Sequence, residues 1–314
     1  MSTQDLYKQT TFNLSDTFSK LQVLDPLLTN ELEVIRKIIE RTPRNAIKNL
    51  TYGPLPIIPR EQIVFLVTEF LYKCSPDYAD RFITDLVDGK IVFTSSIDGS
   101  YIHTNPKTGQ YKIYIDETNT IDDAISLVHE YFHSLNINDY VYRQAFSDSV
   151  SISAEFLFLE FLQEKGISTY DISLASNRRN DIFVGNTDYL RKLLPLYIET
   201  ANGNEINDET YEKYSNSYSS KEDFLYFINS QIATCNDREA RILIYRHCLG
   251  YIAASVFHQS GHTPISLAIA NNTLQSCTIE AFNLILGNGI FNNESSSYVS
   301  DELNHFSNKI YTKK

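Results

Sequence analysis

The sequence predicts a mostly α protein carrying a small β element. Only 11 Gly and 9 Pro occur in 314 residues, too few chain-breakers for a turn-rich sheet protein. Apolar residues recur at helical spacing through much of the chain, while residues 91–116 form a β-rich window. With 42% hydrophobic residues, 21 Tyr and 18 Phe, the composition is that of a globular chain able to bury a sizeable core.

The elements follow in order. Residues 1–90 read as an N-terminal helical segment. Leu24, Leu27, Leu28 and Leu32, then Ile35, Ile38 and Ile39, form one stripe. Tyr52-Gly53-Pro54-Leu55-Pro56 breaks it, and helical spacing resumes over Ile63–Tyr72 and Tyr78–Val87, ending at Asp88-Gly89. Ile91-Val92-Phe93 and Tyr111-Lys112-Ile113-Tyr114-Ile115 are short β-rich runs separated by Gly99, Asn105-Pro106 and Gly109, which predicts a hairpin or meander. A helix follows over 121–136, with Thr120 or Asp122 as its cap, and Asn136 to Asp139 interrupt it. Another covers 145–165 and stops at Gly166. Residues 200–221 are rich in Asn, Glu, Ser and Tyr without an apolar period, the pattern of a surface loop or a poorly packed helix pair. Helices return over 223–290, with Asp223–Phe257 and Ile265–Leu286 as their main runs, and no internal repeat is visible.

The formal net charge of -12 argues against nucleic acid as a partner, because phosphate binding needs clustered Lys and Arg. Cys74, Cys235, Cys248 and Cys277 have no CxxC spacing and read as free thiols of a reducing compartment. The polar start Met1-Ser2-Thr3-Gln4-Asp5 lacks the apolar core of a signal peptide, and no run approaches a membrane span. The expectation is a cytoplasmic protein without membrane insertion, with export by a leaderless route left open.

The chemistry concentrates in His129-Glu130-Tyr131-Phe132-His133. Residues four apart on a helix differ by about 40° in direction, so the two imidazoles reach toward one point. Zinc accepts neutral imidazole nitrogens, and HExxH on a helix is a common way of offering two. Glu130, about 100° further round, stands beside the metal position, where it can take a proton from a bound water. Ala124, Ile125, Leu127, Val128 and Phe132 give the same helix a buried face, so both His need partners indoors. The third ligand is expected on the next helix. Glu155 and Asp148 compete for it: they are seven apart on one helical face, with Glu155 22 residues beyond His133. Glu155, with the longer reach, is the favoured ligand, and the other acid is expected to support the site from behind.

From here the sequence resembles the zinc-bearing half of the oligoendopeptidase F family of gluzincin peptidases. Ile113-Tyr114-Ile115-Asp116-Glu117-Thr118-Asn119-Thr120 leads without a gap into the His129 helix, as a strand and a polar-Thr-x-Thr turn do in that family. Gly99-Ser100-Tyr101 stands where the family has a Gly-Ala-Tyr segment on the substrate side. Tyr245-Arg246-His247-Cys248-Leu249-Gly250-Tyr251-Ile252-Ala253-Ala254 is similar to its C-terminal Tyr-x-Tyr-x-x-Gly helix, with His247 in place of the second Tyr. Ser260-Gly261 and Pro264-Ile265 echo what comes after. The chain is about half the usual family length.

The resemblance implies a zinc peptidase domain over 91–314, with a small sheet at 91–116, the metal helix at 121–136, the third-ligand helix at 145–165 and C-terminal helices at 223–290. It also implies Zn2+ held by His129, His133 and Glu155, with Glu130 as general base. His247 and Tyr251, four apart on one face, become candidate oxyanion donors, and His258 a weaker one. The backbone of Tyr111–Ile115, read as a sheet edge, would pair with an extended substrate. The partner is a peptide, or an exposed protein loop if the reduced cap leaves an open cleft, as in a secreted effector; oligomeric state is not legible. The competing expectation is a non-catalytic peptide-binding protein of the same fold.

Overall fold

The structure, a computed structural model, describes residues 1–24, 28–42, 53–95, 99–105, 107–135, 147–234, 237–261, 292 and 294–306. Its site is organised by a small sheet and the helix that leaves it. Strands β1 (Ile91–Thr94), β2 (Tyr101–Thr104) and β3 (Tyr111–Asp116) lie in the order β1-β3-β2. β2 and β3 make an antiparallel hairpin with Tyr101 opposite Tyr114, and β1 runs parallel to β3 with Ile91 opposite Ile113. Alternation along β3 turns Ile113 and Ile115 inward, where both are fully buried. Tyr111–Ile115 is therefore the middle strand and not the expected edge. Ladders on both sides use its backbone groups, and the free edges belong to β1 and β2.

Helix α5 (Ile121–Leu135) starts five residues after β3. Between them Asn119 takes a positive φ of 55°, a conformation Asn tolerates better than most residues. The side chain that closes the turn is Asp123, neither Thr120 nor Asp122: its carboxylate accepts the amides of Thr118 (3.0 Å) and Asn119 (2.9 Å). A carboxylate in the first turn also suits the positive end of the helix dipole. Ala124, Ile125, Leu127, Val128, Tyr131 and Phe132 bury one face of α5 almost completely. Each larger apolar side chain among them contributes about 1.5–3 kcal/mol by leaving water, so the direction of α5 is strongly fixed.

Around this unit pack α1 (Thr3–Leu24), α2 (Leu28–Arg41), α3 (Arg60–Cys74) and α4 (Pro76–Val87), and after α5 come α6 (Ser147–Glu164) and α7 (Thr169–Ala201). Then follow α8 (Asp208–Lys213), α9 (Lys221–Phe227), a π-helical turn over Ile228–Ala233, α10 (Arg238–Gln259) and α11 (Ser295–His305). α6 packs between α5 and α10, and α1 lies against α7 and α10. Buried Arg241 joins α10 to α1 by donating to Thr17 Oγ1. Among the described residues no helix is long and apolar enough to cross a membrane.

Two stretches differ from expectation. Residues 200–221 are ordered by buried Tyr214 and Tyr218, whose hydroxyls donate to Glu199 Oε1 (2.8 Å) and to the Lys192 carbonyl (2.6 Å). The expected run 223–257 is broken at the π turn, so only α10 carries the motif residues. Asn136–Asp139, Cys235, Cys277, Pro264 and Ile265–Leu286 lie outside the described residues; Cys74 and Cys248 are free thiols.

Candidate metal centre

Helix α5 brings His129 and His133 together as four-residue spacing requires, with Nε2 of each 3.0 Å from the other. Two facing ring nitrogens cannot both carry a proton there, nor both present a bare lone pair at no cost. A cation between them resolves the conflict, and a proton is the smallest that can. His129 takes this role. Burial disfavours its charge, but the bond from Nδ1 to Glu155 Oε1 (2.5 Å) and the charges of Glu155, Glu130 and Asp148 together outweigh burial and raise the ring to about 9. His133 goes the other way. Burial, reinforced by the charge of His129, pushes it down to about 3, so it stays neutral with a lone pair to offer.

A third donor stands beside them. Asp148, in the first turn of α6, has Oδ1 3.6 Å from His133 Nε2. One ligand atom each from His129, His133 and Asp148 all fall within 4.8 Å of one another. The set brought together thus shares His129 and His133 with the expected one, but its carboxylate is that of Asp148. Glu155, two turns along α6 and 7% exposed, meets the far side of the His129 ring. Accepting from Nδ1–H, it keeps that proton in place and leaves Nε2 as the nitrogen that gives up its proton for a ligand role. Two imidazoles, one carboxylate and an open side fit a zinc-type ion with a position left for water or substrate.

Glu130 is 9% exposed and lines a cleft of about 290 Å³ together with His129, Glu155, His247 and Tyr251. Burial raises its carboxyl above the usual range, while the charge of His129 acts against that rise. Gly99 and Ser100, at the mouth of edge strand β2, line the same cleft. His247 presents Nδ1 3.9 Å from Asp148 Oδ2. The Tyr251 ring stacks on Phe183 with centroids 3.8 Å apart, and its hydroxyl donates to Asn180 Oδ1 at 2.8 Å. His258, about three turns beyond His247, turns instead to Glu302 and Glu160 and is not among the residues lining the cleft.

The sequence marked Gly250 only as a motif glycine without a packing role, and it did not mark Arg179 at all. Gly250 is where α6 crosses α10: a Cβ there would stand 2.7 Å from Asp148 Cβ and 3.1 Å from the Asp148 carbonyl carbon. The glycine is what lets the Asp148 turn approach. Arg179, on a helix that no periodicity announced, lies with Nε 3.9 Å from Glu155 Oε2 and also lines the cleft.

No protein-family model matches the sequence, and no curated protein matches it either. Among solved structures the chain is similar to a protein assigned as a peptidase from Chlamydophila abortus, with TM-score 0.55 and 14% identity over 98% of this chain and 56% of that one. It is also similar to a protein assigned as an oligoendopeptidase F from Bacillus anthracis str. Ames, with TM-score 0.52 and 13% identity over 95% of this chain and 56% of that one. The chain therefore spans a little over half the length of these structures, and at such identity the likeness is one of fold: mostly α with a small sheet, peptidase-like.

Proposed function

We propose that the chain is a zinc-dependent endopeptidase whose ion is held by His129, His133 and Asp148. The observation that carries this reading is the convergence of two imidazole nitrogens and a carboxylate, with His129 and the neighbouring Glu130 also lining a cleft. The peptidase-like fold supports it.

Asp148 takes the ligand role expected for Glu155, and Glu155 supports His129 from behind. A divalent ion bound there supplies Lewis acidity, lowering the pKa of a water and polarising the scissile carbonyl. Glu130 removes the water proton and returns it from the same carboxylate to the leaving amine. Its raised affinity for protons suits both steps. His247 lines the cleft where the carbonyl oxygen develops charge and acts as a donor to it, while Tyr251, whose hydroxyl is given to Asn180, walls the cleft beside it. Edge strand β2, continuous with Gly99 and Ser100 in the cleft wall, receives an extended peptide by backbone pairing. The substrate is an oligopeptide or an exposed protein loop.

The test joins metal analysis to digestion of a mixed peptide library. The expected result is about one zinc per chain, and hydrolysis that falls by orders of magnitude in Glu130→Gln while the zinc stays. Zinc without any hydrolysis by the unaltered protein would leave a metal-bearing peptide binder, and equal hydrolysis in Glu130→Gln would refute the base.

A further inference from the structure

Arg179 sits on α7 beside the metal-facing residues, and its guanidinium is held from one side. Nη2 donates to Ser126 Oγ at 2.8 Å and to the Asp122 carbonyl at 3.4 Å, both on α5. Nε is 3.9 Å from Glu155 Oε2, within ion-pair range and beyond hydrogen-bond reach, and Glu155 spends its other oxygen on His129. Among the described residues neither Nε nor Nη1 makes a hydrogen bond, although the side chain is only 24% exposed. The neighbouring Arg178 differs: it is half exposed and already paired with Asp122 Oδ2 at 2.9 Å.

A guanidinium oriented through Nη2, with Nη1 unused, has a charged donor left to give a carboxylate a charge-assisted hydrogen bond. Ile152, Phe156 and Ile182 line the cleft around it, and this apolar wall strengthens such a contact by excluding water. We propose that Arg179 is the specificity-determining residue of the cleft and takes a carboxylate of the bound peptide. The inference rests on the cleft being the peptide site described above. Arg179 and His129 flank the same carboxylate, Glu155, so the recognised group lies within roughly three residues of the scissile bond, at about 3.3–3.6 Å of extended chain per residue. A carboxylate of this kind comes from an Asp or Glu side chain or from the C-terminus of the peptide. The prediction runs against the bulk electrostatics. With a net charge of -12 and Glu130 and Glu155 in the cleft, a site that made no use of Arg179 would favour basic peptides.

The experiment is binding, read by fluorescence anisotropy on the zinc-treated Glu130→Gln protein so that turnover does not intrude. The probes are matched peptides carrying Glu or Gln at successive positions, each made as free acid and as C-terminal amide. The acid-bearing form is expected to bind roughly ten- to a hundredfold tighter than its neutral partner, the range of hydrogen bonds to charged groups. Arg179→Gln should erase that preference, and Arg179→Lys, which keeps the charge but loses the anchoring of the guanidinium on α5, should retain part of it. A preference that follows the side chain identifies an internal acidic residue, and one that follows the terminal group identifies the peptide end. Equal or weaker binding of the acid forms, an unchanged preference in Arg179→Gln, or no binding of any peptide overturns the proposal. The Glu–Gln comparison on the parent protein stands even if Arg179→Gln folds poorly. Peptides bound in an Arg179-dependent way yet never cut by the unaltered protein would keep this inference and sink the hydrolytic reading.

Discussion

Two clusters of imidazoles and carboxylates lie along the same pair of helices, and they are built to opposite ends. Toward the start of α6 and the middle of α10, Asp148, Glu155 and His247 meet His129 and His133 of α5. Toward the other ends, Glu160 and His258 meet Glu302 and His305 of α11. In the first cluster two ring nitrogens face one another at 3.0 Å. In the second, His258 places Nδ1 2.7 Å from Glu302 and Nε2 3.4 Å from Glu160, while His305 Nε2 is 3.5 Å from Glu160. Residue inventory does not make a metal site. Convergent lone pairs do, and where both nitrogens of His258 already face acids, the pairs serve to tie α11 to α6 and α10.

The strongest way to break this comparison is to empty the first cluster and leave the second alone. Asp148→Ala should lose zinc at chelator concentrations where Glu155→Ala still holds it. Loss of a supporting carboxylate typically costs about 10–100-fold in affinity, and loss of a ligand costs more. His258→Gln should leave zinc affinity unchanged. Competitive zinc titration of the three variants reads all of this, and a Glu155→Ala protein emptier than Asp148→Ala would return the ligand role to Glu155.

The second cluster should show itself in the pH dependence of stability. Burial disfavours the charge of His258, but Glu160 and Glu302 outweigh burial and raise it to about 9 from an ordinary 6.5. A group whose pKa is raised on folding stabilises fully below its unfolded value and loses that contribution as pH climbs through the folded one. His258 should therefore contribute up to about 3 kcal/mol near pH 6 and little beyond pH 9.5. Thermal melts of the unaltered protein and of His258→Gln should converge across that window. A constant gap between them would mean that His258 acts by packing alone.

Gly250 sharpens the comparison from the backbone side. Gly250→Ala forces a Cβ to within 2.7 Å of Asp148 Cβ, so the first turn of α6 must shift, at about 1–3 kcal/mol for overpacking. Zinc affinity should fall with it, whereas the His258 pairs further along α10 should keep their pH signature. A variant as stable and as tight for zinc as its parent would mean that α6 has room to move.

What was legible in the sequence was whatever one helix decides by itself. His129, Glu130 and His133 follow from spacing, and Ala124 through Phe132 mark their own buried face. The choice between Asp148 and Glu155 depends on where along its length α6 meets α5, and both acids have the same phase on α6, so periodicity could not separate them. Gly250 lets α10 approach the first turn of α6 at Asp148, but a glycine in a helix shows its purpose only against the helix it touches. α7, at 33 residues the longest helix among the described residues, carries no clean apolar stripe because it is surrounded on several sides, and it runs on unbroken through Pro195. Arg179 went unnoticed with it. The strand order had a similar cause: Tyr111–Ile115 reads equally well as an edge or a centre until β1 is seen to pair with it.

Anomalous diffraction from crystals grown with zinc tests the central claim most directly. The account predicts one strong zinc peak coordinated by His129 Nε2, His133 Nε2 and a carboxylate oxygen of Asp148, with Glu155 on His129 Nδ1 and no peak between His258 and Glu160. A peak at the His258 cluster, or none between His129 and His133, would contradict it.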